Sequence, residues 1–104
     1  MTKTVDVVVV GATDDALAAA IESVQRGRRV LVIARAREPE LLRRIRRARA
    51  AAGAATSRRL TILTGAEVEC VAGIRSLEAV LARYLKTGRR VDINATALLT
   101  FEEP

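Results

Sequence analysis

The stretch with the clearest chemical potential is Gly11-Ala12-Thr13-Asp14-Asp15-Ala16, directly after the apolar run VDVVVV at residues 5–10. A glycine between a buried strand and a helix makes a tight turn. The unpaired N–H groups at the helix start then face any phosphate placed there. In the string G-x-G-x-x-G, the first glycine makes the turn, the second lets a pyrophosphate approach the backbone, and the third lets helix and strand pack closely. Here the first is Gly11, and the second is replaced by Thr13, whose side chain stands where the phosphate approaches. The third is Ala16, a mild replacement. Asp14 and Asp15 add negative charge at the place a pyrophosphate would use. The same residues suit a turn kept for folding, with Thr13 or Asp14 as the helix cap and Asp15 favourable to the dipole. Adjacent acids can also hold Mg²⁺ beside a phosphate, but in a turn they are more often caps.

Arg35 and Arg37 follow a second apolar run, VLVIA at residues 30–34. In nucleotide sites an acid at this place serves ribose hydroxyls, whereas Arg serves a 2′-phosphate through its bidentate fork. The two arginines also open a wider basic segment. Residues 35–59 hold nine Arg and two Glu, so the net charge of +6 is concentrated there and the remainder is near neutral. Such a segment suits a phosphate-bearing ligand, nucleic acid, an acidic protein face or simply a solvated helix surface. With one Tyr and one Phe in the chain, platforms for base stacking are scarce, so nucleic acid is not an expected partner. There is no His, and Cys70 is the one cysteine. Imidazole chemistry, an internal disulfide, a CxxC pair and a cysteine zinc site are thereby excluded within these residues. Cys70 is expected to be a small core residue.

The elements that position these residues follow from pattern. Residues 5–10 read as a buried strand, and residues 16–26 as a helix with Leu17, Ile21 and Val24 on one face. Residues 30–34 then form a second strand, completing a βαβ unit of about thirty residues. Pro39 opens another helix reaching about Ala52, with Leu41, Ile45, Ala48 and Ala52 inward. Its outer face carries Arg43, Arg44, Arg46, Arg47 and Arg49. Residues 53–57 are expected to form a loop, and 60–64 and 67–71 to form strands. Leu77, Val80, Leu81, Tyr84 and Leu85 have helical spacing, although residues 78–86 alternate as well. Thr87-Gly88 marks a turn, and residues 95–101 a last strand. Residues 1–4 and 102–104 are expected to be loose ends. At 104 residues the chain suits a single domain over 1–104. No apolar run approaches the ~20 residues of a membrane span. Asp6 comes too early for a signal peptide, and a reducing, cytoplasmic setting is expected.

VDVVVVGATDDALAAAIESVQRGRRVLVIAR resembles the Rossmann-type βαβ units of the thioredoxin reductases and the wider pyridine nucleotide–disulfide oxidoreductases. In those enzymes one such unit serves FAD and another NAD(P)H. RRLTILTGAEVECVAG, LARYLKTGRRVD and INATALLTF resemble the third strand, the β-meander with its K-T-G turn, and the closing strand of the NAD(P)H unit. The resemblance implies an α/β, Rossmann-like three-layer domain, with a small parallel sheet and a β-meander. It also implies a strand, rather than a helix, at residues 77–86. For the site it implies NADP(H) held by Gly11, Ala12, Thr13, Asp14 and Asp15 of the turn, with Arg35 and Arg37 at the 2′-phosphate. Ala18 and Ala19 replace acidic residues of the family's helix, and the family's second fingerprint and CxxC are absent. The expected function is therefore a stand-alone dinucleotide-binding-like module, not catalytic alone. It would bind NADP(H) weakly or act as an accessory subunit to a flavoprotein partner. The alternative is an interaction or oligomerisation module that kept the fold and lost the nucleotide, forming a homo-oligomer or meeting another protein.

Overall fold

The computed structural model describes residues 2–11, 13–35, 39–53 and 58–101. Along the chain these form β1 (Thr2–Thr4), β2 (Val7–Val10), α1 (Asp14–Gln25), β3 (Val30–Ala34), α2 (Pro39–Ala52) and β4 (Leu60–Thr64). There follow β5 (Ala66–Ala72), β6 (Ala79–Tyr84), β7 (Arg90–Asn94) and β8 (Ala97–Thr100). The strands make two sheets, ordered β4-β3-β2-β8 and β1-β7-β6-β5. All pairings in the first sheet are parallel. In the second, β5, β6 and β7 form an antiparallel meander, and β1 adds to β7 in parallel.

The unbroken apolar runs are explained by burial on both faces of the parallel sheet. Val7, Val9, Val30 and Val32 pack against Ala16, Ala20 and Val24 of α1. Val8, Val10, Leu31 and Ile33 face the other way, onto Val80, Ala82, Val91 and Ile93 of the meander. Helix α2 lays Leu41 and Ile45 on Ala34 and Ile62, leaving Arg43, Arg46, Arg47 and Arg49 exposed. Helices, parallel sheet and meander are thus three layers, the α/β Rossmann-like arrangement expected. Each fully buried valine contributes about 1.5–3 kcal/mol relative to exposure, so the sheet's centre supplies much of the driving force.

The structure corrects three expectations and bears out a fourth. Residues 5–10 are not one strand: the chain bends at Asp6 and passes from one sheet to the other. The Asp6 carboxylate accepts from the Arg29 N–H at 2.8 Å, while its carbonyl accepts from the Thr96 hydroxyl at 3.1 Å. Residues 2–4 are not a loose end, because β1 pairs Thr2, Lys3 and Thr4 with Asp92, Ile93 and Asn94. The helical spacing at residues 77–86 does not produce a helix. Strand β6 is central in the meander, with Val80 and Ala82 buried and Tyr84 packed on the core, as the resemblance implied. The helical signal came from Leu81 and Leu85, apolar residues on the opposite face and in the following turn.

Cys70 is exposed rather than buried. The cause is a β-bulge between Val68 and Cys70. Val68 stands opposite the buried Ala82, but Cys70 stands opposite Leu81, so the extra residue turns Cys70 to the outer face. Beyond it, Gly73 has φ +155°, and a Cβ there would lie 1.9 Å from the Ser76 carbonyl oxygen. Only glycine allows the hairpin to close so tightly. Met1, residues 54–57 of the expected loop and residues 102–104 lie outside the described residues.

Candidate site at the carboxyl edge of the parallel sheet

Because β2, β3, β4 and β8 are parallel, all their carboxyl ends share one edge. The chain runs from β2 outward through β3 to β4, whereas β8 lies on the other side of β2. The edge beside β2 is therefore the point where strand order reverses, the usual ligand position in open α/β sheets. Gly11 sits there with φ +117°, a conformation that favours glycine, and its N–H donates to the Ile33 carbonyl at 2.9 Å.

Thr13 caps α1. Its hydroxyl accepts from the Ala16 N–H at 3.1 Å, and its carbonyl accepts from the Leu17 N–H at 3.0 Å. The hydroxyl thus occupies a donor that an incoming phosphate would otherwise find free. Asp14 and Asp15 are exposed in the first turn. Asp14 Oδ1 lies 3.8 Å from Arg44 Nε, which also lies 4.0 Å from Glu40 Oε1. The negative charge at the helix start is therefore partly answered by α2. Gly11, Thr13, Asp14 and Asp15 share the β2–α1 turn and the first turn of α1. Ala12 and Arg37 lie outside the described residues.

Arg35 follows β3 immediately, one strand from the Gly11 turn. Its side chain is exposed, with Nη2 at 3.7 Å from Glu67 Oε2. Glu67 is shared, since its Oε1 accepts from Arg83 Nη2 at 2.7 Å. Arg35 also lines a cavity of about 470 Å³ together with Gly65, Tyr84 and Lys86. Among the described residues, no member of the Gly11 turn lines that cavity. Lys86, Tyr84 and Glu67 had no signal as site residues in the sequence, because the meander brings them to Arg35 only through long-range pairing.

The meander's outer surface holds a second ionic feature. Arg90 donates to both carboxylate oxygens of Glu69, at 2.8 and 2.9 Å. This hydrogen bond from Arg90, with the positive charges of Arg90 and Arg83, holds the Glu69 carboxyl below its ordinary range against a smaller opposing effect of burial. Among the described residues, no three acidic or cysteine side chains gather closely enough to hold a metal ion. No helix there is long and apolar enough to cross a membrane.

No protein-family model matches the chain, and no curated protein matches it by sequence. Solved structures resemble it in fold. Thioredoxin reductase from Streptococcus pyogenes MGAS5005 matches with a TM-score of 0.70 at 21% identity, over 98% of this chain and 32% of that one. Thioredoxin reductase from Giardia duodenalis gives 0.72 at 18% identity, over 98% of this chain and 32% of that one. The bacillithiol disulfide reductase of Staphylococcus aureus gives 0.70 at 18% identity, over 97% and 29%. The class defined by the fold is a Rossmann-like three-layer α/β unit. The unit is similar to one found in thioredoxin reductases and a related disulfide reductase, and the chain spans about a third of their length.

Proposed function

We propose that this chain is a dinucleotide-binding module of the disulfide-reductase type that binds NADP(H) weakly and is not catalytic by itself. The observation that carries the reading is the position of Arg35, at the carboxyl end of the strand next to Gly11 and beside the strand-order reversal. A 2′-phosphate there meets a guanidinium with five donors, only part of which faces Glu67. Arg37, two residues on, is a second candidate for the same phosphate. Gly11 supplies the turn that a pyrophosphate needs.

The fit is uneven, and the unevenness sets the affinity. Thr13 fills the approach and engages the Ala16 N–H, and Asp14 and Asp15 repel a second anion. The pyrophosphate would therefore be held poorly and the 2′-phosphate well. When bound, NADPH supplies a hydride; the 104 residues contain one cysteine and no His, so they form no dithiol to receive its electrons. In this reading the electrons pass to a flavoprotein partner, beside which the chain is an accessory subunit.

The Thr13 cap also favours the other reading, an interaction module that kept the fold and lost the ligand. Calorimetry separates the two. Saturable heat with NADPH and at least tenfold weaker binding of NADH, with the difference abolished by Arg35→Ala, supports the NADP(H) module; a tenfold difference is about 1.4 kcal/mol, within reach of one charge-assisted contact. No heat with either cofactor at millimolar concentration removes the ligand and leaves the interaction module.

A further inference from the structure

We infer that the outer face of helices α1 and α2 is a self-association surface, on which a second copy of this chain docks about a two-fold axis running along the helices. The inference goes beyond the NADP(H) reading and does not rest on it, because neither Gly11 nor Arg35 lines the groove at the centre of this face.

Both helices connect neighbouring parallel strands, so they run in the same direction, packed side by side. Between them lies a groove of about 250 Å³. Helix α1 gives it Leu17, Ala18 and Ile21, and α2 gives it Ala48 and Ala51, at the three- and four-residue spacing of single helix faces. Leu17 and Ala48 are its buried floor, while Ala18 and Ala51 are exposed. Small side chains along the middle let another pair of helices come close. The volume falls short of the ~300 Å³ at which small-molecule pockets begin, so the occupant is a protein surface.

The two flanks of the face carry opposite charge. One residue along a helix is a turn of about 100°. One step on from Asp14 and Ile21 puts Asp15 and Glu22 on the outer flank of α1, and one step back from Arg44 and Arg47 puts Arg43 and Arg46 on the outer flank of α2. All four flank residues are exposed. Among the described residues, Asp15 and Arg46 have no ion-pair partner. Arg43 lies 3.9 Å from Glu40, a carboxylate it shares with Arg44 and Arg47. Exposed pairs this loose contribute little, so the arginines keep donors for a partner. A two-fold axis along the helices lays α1 of each copy on α2 of the other. The acidic flank then meets the basic flank twice, and the apolar middles meet each other. An axis across the helices would instead set α1 on α1 and arginine against arginine. Helices of 12 and 14 residues make a face about 20 Å on a side. Two such faces bury on the order of 1,000 Å² in total, the lower end for a specific interface, so the dimer is a weak one.

The test is sedimentation of the full chain, without nucleotide, from about 10 μM to about 1 mM, with an amide NMR dilution series over the same range. A monomer–dimer equilibrium is expected, with dilution shifts at Ala18, Ile21 and Ala51 and none in the meander. Ala18→Arg should weaken the dimer at least tenfold while leaving the meander amides unchanged. Asp15→Arg and Arg43→Glu move the net charge in opposite directions, so a general charge effect would weaken one and tighten the other. Here each alone should weaken the dimer about tenfold, and an equimolar mixture of the two should restore it as a heterodimer. A monomer at 1 mM, association indifferent to Ala18→Arg, a mixture that stays monomeric, or dilution shifts confined to the meander would each overturn the inference. So would a single-stranded oligonucleotide that shifts the α2 amides of a protein that does not self-associate. Arg35→Ala should leave the dimer unchanged. NADPH binding by a strictly monomeric protein overturns this surface and leaves the NADP(H) reading standing, and a dimer with NADPH silent does the reverse.

Discussion

Thr13 carries the conflict between folding and binding. As the cap of α1 it satisfies the Ala16 N–H, and Thr13→Ala should lower stability by about 1 kcal/mol, seen as a reduced midpoint in thermal or urea unfolding. Glycine at a cap costs only a few tenths of a kcal/mol relative to threonine, and it removes the side chain from the phosphate's path. Thr13→Gly should therefore leave the melting curve nearly unchanged while tightening NADPH binding about tenfold, the value of one recovered N–H to phosphate contact. Unchanged affinity in that variant would show that the Thr13 side chain is not the obstacle. Arg35 was legible from its place after an apolar run. Its neighbours Glu67 and Lys86 were not, because nothing local links residue 35 to residues 67 and 86.

At the scale of elements, Asp6 holds the crossing between the two sheets. Asp6→Ala removes the acceptor for the Arg29 N–H, and should destabilise the protein by about 1–2 kcal/mol in chemical unfolding. The meander offers a pH test. Glu69 has a lowered carboxyl pKa in the folded protein, so its bond to Arg90 favours folding above the unfolded carboxylate's pKa. That contribution is lost as pH falls through the lower, folded value. A side-chain NMR titration should place Glu69 below ordinary exposed glutamates, and Arg90→Ala should return it upward; an unmoved midpoint would contradict the assignment.

Both helices and the strands of the parallel sheet were legible, because burial on one stripe or on both faces leaves a period or an unbroken run. The resemblance also supplied the meander. The bend at Asp6, the pairing of β1 and the outward turn of Cys70 were not legible. Each depends on a partner far along the chain, or on a bulge that shifts the alternation by one residue. Apolar Leu81 on the outer face of β6 made a strand read as a helix.

For the whole molecule, the parallel sheet is the shared wall of two cores, one toward the helices and one toward the meander. Leu31 is fully buried on the meander side, where it meets residues contributed by the second sheet. Leu31→Ala should cost about 2–5 kcal/mol and lower the unfolding midpoint in one cooperative transition. Two separate transitions would show that the layers fold independently. The three-layer arrangement also sets Gly11 and Arg35 on adjacent strand ends at a single edge, the juxtaposition on which NADP(H) binding depends. The direct test is residue-resolved NMR of the labelled protein with NADPH, NADH and FAD at up to millimolar concentration. NADPH should give saturable shifts at Gly11, Thr13 to Ala16 and Arg35, NADH far weaker ones, and FAD none. Silence with all three, or equal response to NADH and NADPH, would contradict the NADP(H) reading.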